Sequence, residues 1–500
     1  MAGSRWRAIA DDLLAAWRVP AVKRGCLGTL LLFIGSITPG YLPQSSPWWG
    51  PARALGLDNG PARAALTALV VVGVALLVEA WFRLRPPSSA TVKPYATVKH
   101  WAVIVIWSIP LLIAPPIFSH DAYAYAAEGW LLRNGLNPYY NSVSVLPGAF
   151  ADQVAWVWRY TPAMYPPLSL RMFESLVVLA QGNPYYSTIA LRIPALLGMA
   201  MLAYFLPRIA RSLGVDPTFA SWFGVLNPIV LVDFVGGLHN DSIMVGLTVL
   251  ALWLVCRNPK WFWVSAMIVG AAACIKQPAA LAVFPIALVG HPWTTLRRPD
   301  TLKALGRLAL CAAIVIATFA AISFVCGLGY GWIPAASVPG EIITMAPFML
   351  LGSGVQWVVT AVFGSAAAGA VVLSAIRTLG LVGTVLAIAW LGIWRARRRP
   401  FAFLAWSYLA FAFGGLAMYS WYLTWGGVML PLARPGERTI EAATVLTAVL
   451  LVYEAANLAY RNEAVVGLGY GVVGLIVVLV WYHFQRTHRL AAESTATPAG

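Results

Sequence analysis

The sequence predicts an all-α membrane protein with about 13 to 14 transmembrane helices, and its composition carries this prediction. Of its 500 residues, 60% are hydrophobic and only 10% are charged, and the mean hydropathy is +0.75. A soluble domain carries roughly 25% charged residues. Apolar runs of about 20 residues, the length that crosses a bilayer, recur along nearly the whole chain. The runs are continuously apolar and do not alternate, which favours helices over a β-barrel.

The predicted spans are the apolar runs between basic or turn-rich segments. In chain order they are Gly25–Tyr41, Arg63–Trp81, His100–Phe118, Ser187–Pro207, Pro217–Phe234, Ser242–Val255, Trp261–Ile275, Pro278–Val289, Gly306–Cys326, Val371–Trp394, Phe401–Met418, Tyr419–Leu432, Ile440–Tyr460 and Ala464–Phe484. Segments 119–186 and 327–370 are predicted instead to be long loops. Both contain aromatic residues, Pro and Gly, which indicates short interfacial or re-entrant helices.

The net charge of +16 is explained by the orientation of the chain in the membrane and does not indicate nucleic-acid binding. Basic residues collect in alternate loops, as cytoplasmic loops of a plasma-membrane protein do. This pattern places residues 1–24 and a disordered tail, 486–500, in the cytoplasm, around a single transmembrane domain at 25–485. Both long loops then face outward, so an active site there would be extracytoplasmic. No cleavage site follows the first apolar run, which predicts a retained first helix.

Asp121 lies where the third predicted span ends and the first long loop begins. A carboxylate at a membrane boundary is costly unless it is paired or functional. We therefore consider two hypotheses, a general base acting on a lipid-borne substrate and a helix-terminal acid paired with a nearby Arg. Glu128, further along the same segment, either orients an acceptor or pairs with Arg133.

A second polar group, His239-Asn240-Asp241, separates two predicted spans on the outer side. Asp241 is either a member of a cleft with His239 and Asn240 or only the N-cap of the next helix. Asp233 precedes the group. One His and two carboxylates without a defined spacing do not select a metal ion. A divalent metal is therefore possible but unsupported, and the five cysteines show neither metal spacing nor a disulfide pattern.

Three cations lie near outer ends of predicted spans, against the charge bias: Lys276, Arg377 and Arg192. Each either extends its charged end to the membrane surface or binds a lipid phosphate, since a buried phosphate needs Lys or Arg donors.

Two aromatic-rich segments complete the candidate site. One contains Trp421 and Tyr422, and the other contains Arg159, Tyr160 and Tyr165. Each is explained either by an interfacial aromatic belt or by sugar rings that stack on aromatic faces.

Together these motifs resemble the actinobacterial polyprenol-phosphomannose-dependent α-1,6-mannosyltransferases, and of the two Mpt types the chain looks more like B. The resemblance covers roughly residues 25 to 485, and the runs that carry it are His120–Gly129, Gly135–Tyr139, Tyr160–Leu168, Gly237–Asp241, Lys276–Ala279 and Trp421–Tyr422. Other members often show Gln in place of Glu128, and many show Tyr-Gly-Pro in place of Tyr165-Pro166-Pro167. Both differences affect the expected acceptor contacts.

The resemblance implies a GT-C glycosyltransferase fold and an inverting reaction without a required cofactor. The implied donor is β-linked polyprenyl phosphomannose, and the acceptor is the 6-hydroxyl of a mannan chain of lipomannan or lipoarabinomannan. Asp121 is then the catalytic base, and Lys276, Arg377 and Arg192 bind the donor phosphate. The substrate-binding residues would be His120, Tyr123, Glu128, Arg159, Tyr160, Tyr165, His239, Asn240, Asp241, Trp421 and Tyr422.

The sequence leaves other functions open. Another GT-C transferase, which moves arabinose or mannosylates proteins, would carry the same kinds of residues. A lipid or sugar transporter usually places ionisable residues near the bilayer midplane, often within inverted repeats. The acids noted above lie instead at the outer boundary, and the sequence shows no convincing internal repeat.

Overall fold

The computed structural model describes residues 2–39, 42–86, 98–291, 293, 295–341, 344–461 and 482. Every regular element in these ranges is helical, which confirms the predicted all-α class. The predicted span Ala464–Phe484, apart from residue 482, and the predicted tail 486–500 lie outside the described residues.

The α-helices follow one another along the chain as α1 (Ala2–Trp17), α2 (Pro20–Ser36), α3 (Trp49–Ala54), α4 (Gly60–Arg83), α5 (His100–Ser108), α6 (Asp121–Arg133), α7 (Ala149–Asp152), α8 (Trp156–Arg159), α9 (Pro167–Leu179), α10 (Pro184–Ala190), α11 (Arg192–Ser212), α12 (Pro217–Gly224), α13 (Pro228–Leu231), α14 (Asp241–Arg257), α15 (Phe262–Ala273), α16 (Val283–Leu288), α17 (Arg298–Cys326), α18 (Trp332–Ala335), α19 (Pro347–Phe363), α20 (Ala366–Leu391), α21 (Pro400–Gly414), α22 (Ser420–Met429) and α23 (Glu437–Arg461).

Within the described ranges, five helical segments are long and apolar enough to cross a membrane: Gly60–Arg83, Pro184–Ser212, Arg298–Cys326, Ala366–Ala396 and Glu437–Leu458. Two bent pairs, with bends of 86° and 53°, raise the number to seven if each pair is one span. Other predicted spans are shorter apolar helices, such as His100–Leu112 and Pro400–Gly414. In His100–Leu112 the α-helix ends at Ser108, before Pro110, because Pro removes a backbone donor and disfavours helical conformation in the residue before it.

The described residues form two compact units, and the first comprises those that lie within the ranges 1–122, 216–238 and 435–500. Two tryptophans hold α4 against α12 in this unit. Trp81 and Trp222 stack at a centroid distance of 4.8 Å, and each indole N–H donates to the backbone carbonyl of the other residue. Buried indole N–H groups need such acceptors, so the pair fixes the contact of the two helices in orientation as well as in distance.

The second unit comprises residues 123–215 and 239–434. Its α11 and α14 cross where Gly198 faces Gly246 and Ser242. A Cβ at Gly198 would lie 2.2 Å from the carbonyl oxygen of Ser242, so no larger residue fits without a shift of one helix. Small residues allow membrane helices to approach this closely. The crossing holds the N-terminal turn of α14, which begins at Asp241.

The two segments predicted as loops contain helices. Segment 119–186 contains α6 to α9 and the start of α10, in agreement with the predicted short helices. In segment 327–370, α19 packs antiparallel to the N-terminal half of α20. The turn between them uses Gly364 with φ +65°, and a Cβ at Gly369 would meet Thr360. The structure thus forms a helical hairpin, where the sequence predicted a loop with an interfacial or re-entrant helix.

We predict that Gly198→Ala lowers the free energy of unfolding by about 1–3 kcal/mol, because the added methyl group overpacks the crossing of α11 and α14. Gly383→Ala is the matched control, since nothing lies within 4 Å of a Cβ at that helical glycine. The control should be neutral or slightly stabilising. Thermal unfolding of both variants in detergent measures the difference. Equal unfolding temperatures for the two variants would contradict this account of the crossing.

Candidate active site

The backbone leading to Asp121 adopts an unusual conformation. Phe118 has φ +63°, and α6 begins three residues later at Asp121, whose N–H donates to Ser119 Oγ at 3.1 Å. Leu238, which directly precedes the His239–Asp241 group, has φ +61°. Positive φ is rare for residues other than Gly, Asn and Asp, and it persists where the surrounding structure imposes it, often at functional sites.

These two turns lie side by side in the first unit. The N–H of Ile117 donates to the carbonyl of Gly236 at 3.0 Å. His120 and Asp121 are each partly exposed, whereas the neighbouring residues Ile117 and Phe118 are buried. The fold therefore keeps the Asp121 side chain accessible at the start of its helix.

Asp241 lies at the centre of the polar cluster of the second unit. Lys276 Nζ donates to both carboxylate oxygens of Asp241, at 2.8 and 2.7 Å, and the indole N–H of Trp425 donates to Oδ1 at 2.5 Å. The side chains of Lys276 and Asp241 are 7% and 0% exposed. The predicted alternative for Asp241 as an N-cap is not observed, because Asn240 occupies the N-cap position and α14 has no side-chain cap.

Aromatic rings surround the ammonium group of Lys276. Its Nζ lies 4.8 Å from the ring centroid of Tyr422, 5.4 Å from that of Trp425 and 6.0 Å from that of Tyr165. Rings at these distances attract a cation through their negative faces. An ammonium group has three N–H donors, so its two bonds to Asp241 leave one donor for a further acceptor.

His239 packs against Trp421, with ring centroids 3.8 Å apart and an interplanar angle of 21°. Tyr419 also stacks on Trp421, at 4.6 Å and 4°. Two rings this close cannot share one face without overlap, so both faces of Trp421 are covered. A sugar can stack on Trp421 only if one of these rings moves. In this structure no face of Trp421 is open for a sugar to stack on, and a substrate-binding role for Trp421 stays a prediction.

A chain of hydroxyl groups connects His239 to Tyr165. Tyr165 OH donates to Tyr125 OH at 3.3 Å, and Tyr125 OH lies 3.4 Å from His239 Nδ1. Burial lowers the pKa of His239 well below its ordinary value, and the positive charge of Lys276 lowers it further. The imidazole is therefore neutral, with one nitrogen as donor and the other as acceptor.

Two polar atoms beside this cluster have no hydrogen-bond partner among the described residues. They are His239 Nε2 and Asn240 Oδ1, and both side chains are deeply buried, with residue exposures of 1% and 3%. The amide nitrogen of Asn240 does have a partner, since it donates to Ser169 Oγ at 3.2 Å. A buried polar group without a partner costs about 1–3 kcal/mol, so such groups point to a bound water or a polar ligand.

The remaining predicted residues lie at several places in the second unit. Arg377 lies on α20 with its guanidinium beside Gly340, and Arg192 begins α11 and is 4% exposed. Tyr123 and Glu128 are buried in α6, at 1% and 7%. Arg159 ends α8, where its Nη2 donates to the carbonyl of Asp152 at 2.9 Å. Each of these side chains is therefore positioned by a different helix from those that hold the ion pair.

Three residues of the cluster were not predicted: Trp425, Tyr125 and Ser169. Trp425 follows Trp421 by four residues on α22, a spacing that places both on one helix face. Tyr125 lies within the run His120–Gly129, and Ser169 follows Tyr165 by four residues. No sequence signal marks Ser169, because Oγ reaches Asn240 and the carbonyl of Ile275 only through the tertiary fold.

The cluster does not form a metal site in the part of the chain that the structure describes. No group of three or more His, Cys, Asp or Glu side chains there is placed to hold a metal ion. Asp241 instead directs both of its oxygens at Lys276.

Comparison with known proteins gives one family and several relatives. The family model described as alpha-(1->6)-mannopyranosyltransferase, N-terminal domain, matches residues 22–291. Alpha-(1->6)-mannopyranosyltransferase A of Mycobacterium tuberculosis is 29% identical over 95% of this chain and 92% of its own length. The A enzyme of Corynebacterium glutamicum is 28% identical over 78% and 84%, and the B enzyme of the same organism is 25% identical over 62% and 55%. No solved structure matches the chain.

These relatives confirm the resemblance inferred from the motifs, but the preference for the B type is not confirmed. The match to the A enzyme of C. glutamicum covers more of this chain than the match to the B enzyme, at higher identity.

We predict that breaking the buried ion pair is more costly than removing it. Asp241→Asn and Lys276→Met should each lower the free energy of unfolding by about 3–5 kcal/mol, because each leaves a partner buried and uncompensated. The double variant should lose less than the sum of the two. Unfolding in detergent measures the cycle, with the exposed Lys260→Met as the control for loss of a lysine charge. Additive losses would show that the two groups do not stabilise each other.

We also predict a pH dependence that arises from His239. An unfolded chain protonates histidine below pH of about 6.5, whereas buried His239 resists protonation. The folded state is therefore destabilised as pH falls below that value, by up to about 1.4 kcal/mol per pH unit. Unfolding temperatures measured between pH of about 7.5 and 5.5 should fall less steeply for His239→Gln than for the wild type.

The exposed histidine His291 supplies the control for this experiment. His291→Gln should keep the pH dependence of the wild type. If His239→Gln and His291→Gln both keep it, His239 is not the group responsible.

Proposed function

The chain belongs to the alpha-(1->6)-mannopyranosyltransferase family, and from this premise we propose that it transfers mannose from polyprenyl phosphomannose to the 6-hydroxyl of a mannan acceptor. The family match supports mannose as the sugar that is transferred and α-1,6 as the linkage that is formed. The apolar helices support a donor with a lipid anchor, because a polyprenyl tail needs a bilayer beside the reacting sugar. We place the reaction on the extracytoplasmic face, where the charge distribution predicts the segment that contains Asp121, and we assign it to lipomannan and lipoarabinomannan synthesis.

Inversion in one displacement is the reaction course that we propose. The bond between the anomeric carbon of a β-linked donor and its phosphate oxygen breaks while the acceptor oxygen bonds to that carbon from the opposite face. The product is then α-linked, and the polyprenyl phosphate leaves with the bonding electron pair. The phosphate is a stable leaving group, so the step requires a base for the acceptor proton but no protonating acid.

We assign the base to Asp121. Its position at the first turn of α6, after a strained turn and with a partly exposed side chain, suits a carboxylate that accepts a proton from a bound hydroxyl group. A general base acts when it lies within hydrogen-bond reach of the proton it removes. No cofactor enters this step.

The cations stabilise the phosphate as its negative charge develops. Lys276, Arg377 and Arg192 remain our candidates for this role. For Lys276 the ion pair with Asp241 limits the contribution to the one N–H that the carboxylate does not use. The pair also fixes the ammonium group in one position, which is the kind of preorganisation that lowers an electrostatic barrier.

Sugar hydroxyl groups can satisfy the two partnerless atoms of the cluster. A hydroxyl both donates and accepts, so it can accept from or donate to His239 Nε2 and donate to Asn240 Oδ1. These atoms, with His120, Tyr123, Glu128, Arg159, Tyr160, Tyr165, Trp421 and Tyr422, form the substrate-binding set that we propose.

We predict that Asp121→Asn lowers the rate of mannosyl transfer by about 10²–10⁴-fold, because the amide cannot accept the proton. The assay supplies purified protein with radiolabelled polyprenyl phosphomannose and a short α-1,6-mannoside, and it follows the elongated product. Asp58→Asn is the control, since Asp58 belongs to the same unit and pairs with Arg53 at 3.4 Å in a half-exposed bridge. Equal membrane insertion of both variants establishes that the loss is chemical.

Full activity of Asp121→Asn would refute the assignment of the base. The same assay separates the rival transferases. Transfer from polyprenyl phosphoarabinose but not from polyprenyl phosphomannose would refute the proposed donor, whatever the result for Asp121.

A further inference from the structure

Residues 136–163 fold into a small lobe over α6. In its core, Val143, Phe150 and Val154 pack against Leu131 and several alanines of α6. Trp130 of α6 stacks on Phe150, with ring centroids 4.7 Å apart. The lobe is therefore an ordered, packed body, although its helices α7 and α8 have only four residues each.

Three large rings of this lobe are exposed. Tyr140, Trp156 and Tyr160 are 76%, 80% and 68% exposed. Trp156 begins the single turn of α8, and Tyr160 directly follows the last residue of that turn. Tyr140 lies in the adjoining segment of chain, because the N–H of Ala163 donates to the carbonyl of Pro138 at 2.9 Å.

The charge of the lobe restricts what can cover these rings. Asp152 and Arg159 are its only charged side chains, and they have opposite signs. Nη2 of Arg159 donates to the carbonyls of Asp152 and Val154. An anionic lipid surface attracts clusters of Lys and Arg, and the lobe has none.

Neutral polar groups accompany the rings instead. Asn141, Ser144 and Thr161 are partly exposed on the same lobe. A surface with flat apolar rings and neighbouring hydroxyl and amide groups suits an uncharged pyranose. Such a sugar has one face of C–H groups and a rim of hydroxyl groups. A nucleic acid or a phosphorylated lipid would need positive charge at this surface.

The lobe is continuous with the polar cluster around Lys276. Tyr139, adjacent to Tyr140, donates through its hydroxyl to the carbonyl of Tyr165 at 2.7 Å. The ring of Tyr165 in turn lies 6.0 Å from Lys276 Nζ. Tyr139 and Tyr165 therefore connect the lobe to the cluster.

We infer that the exposed face of this lobe binds the internal mannose residues of the acceptor chain, through stacking on Tyr140, Trp156 and Tyr160. This inference rests on the proposed function and adds to it a subsite for the internal units of a neutral oligosaccharide. The subsite makes longer acceptors better substrates than short ones, since only a longer chain reaches it.

The test compares a disaccharide with a hexasaccharide of α-1,6-linked mannose as acceptors. In Trp156→Ala the ratio of kcat/KM for the hexasaccharide to that for the disaccharide should fall about tenfold, as loss of a central aromatic contact does. Trp156→Phe should restore most of the ratio. Trp263→Ala, which removes a ring that is 53% exposed on α15, is the matched control and should keep it.

An unchanged ratio in Trp156→Ala, or an equal loss with both acceptors, would overturn the inference. An equal loss is also the outcome expected if these rings contact the bilayer.

Binding of the hexasaccharide alone, measured calorimetrically without donor, separates this inference from the proposed function. Weaker binding in Trp156→Ala without any mannosyl transfer by the wild type would support the subsite and refute the reaction. Mannosyl transfer at a rate independent of acceptor length would support the proposed reaction and refute the subsite.

Discussion

Lys276 and Asp241 are both withdrawn from solvent, and neither charge would be stable there without the other. Their bidentate contact connects the start of α14 to the segment after α15, and the indole N–H of Trp425 adds α22 to the same carboxylate. Three segments that are far apart in sequence therefore meet at one anion. The rings around Lys276 and the position of His239 depend on this meeting, because His239 lies two residues before Asp241.

The rest of the second unit supports this arrangement through close packing. Gly198 lets α11 approach the first turn of α14 so closely that no side chain fits between them. Tyr125 stacks on Phe173 of α9, with centroids 4.8 Å apart, and so holds its hydroxyl beside His239. The polar cluster is therefore held by close packing on several sides. A cluster held in this way can offer partnerless atoms to a substrate at a fixed place, which is the property that binding and electrostatic catalysis require.

Composition and apolar runs predicted the fold class, and they placed several helices within a few residues. The run Ser242–Val255 corresponds to α14, Asp241–Arg257, because a long uninterrupted apolar stretch has one stable form in a membrane. The hairpin of α19 and α20 was not predicted, since the pairing of two helices depends on glycines that face the other helix only after folding. Motif resemblance selected His239, Asp241 and Lys276. It could not show that Asp241 binds Lys276, because residues 35 positions apart carry no local signal of contact.

Mannosyl transfer from a lipid phosphate to a mannan by inversion is the central claim, and the linkage and anomeric configuration of the product test it most directly. Purified protein would be supplied with β-mannosyl polyprenyl phosphate and α-1,6-mannobiose, and the new trisaccharide would be analysed by NMR. The account predicts an added mannose joined at the 6-hydroxyl in the α configuration. A β-linked product, a different linkage or no trisaccharide would contradict it.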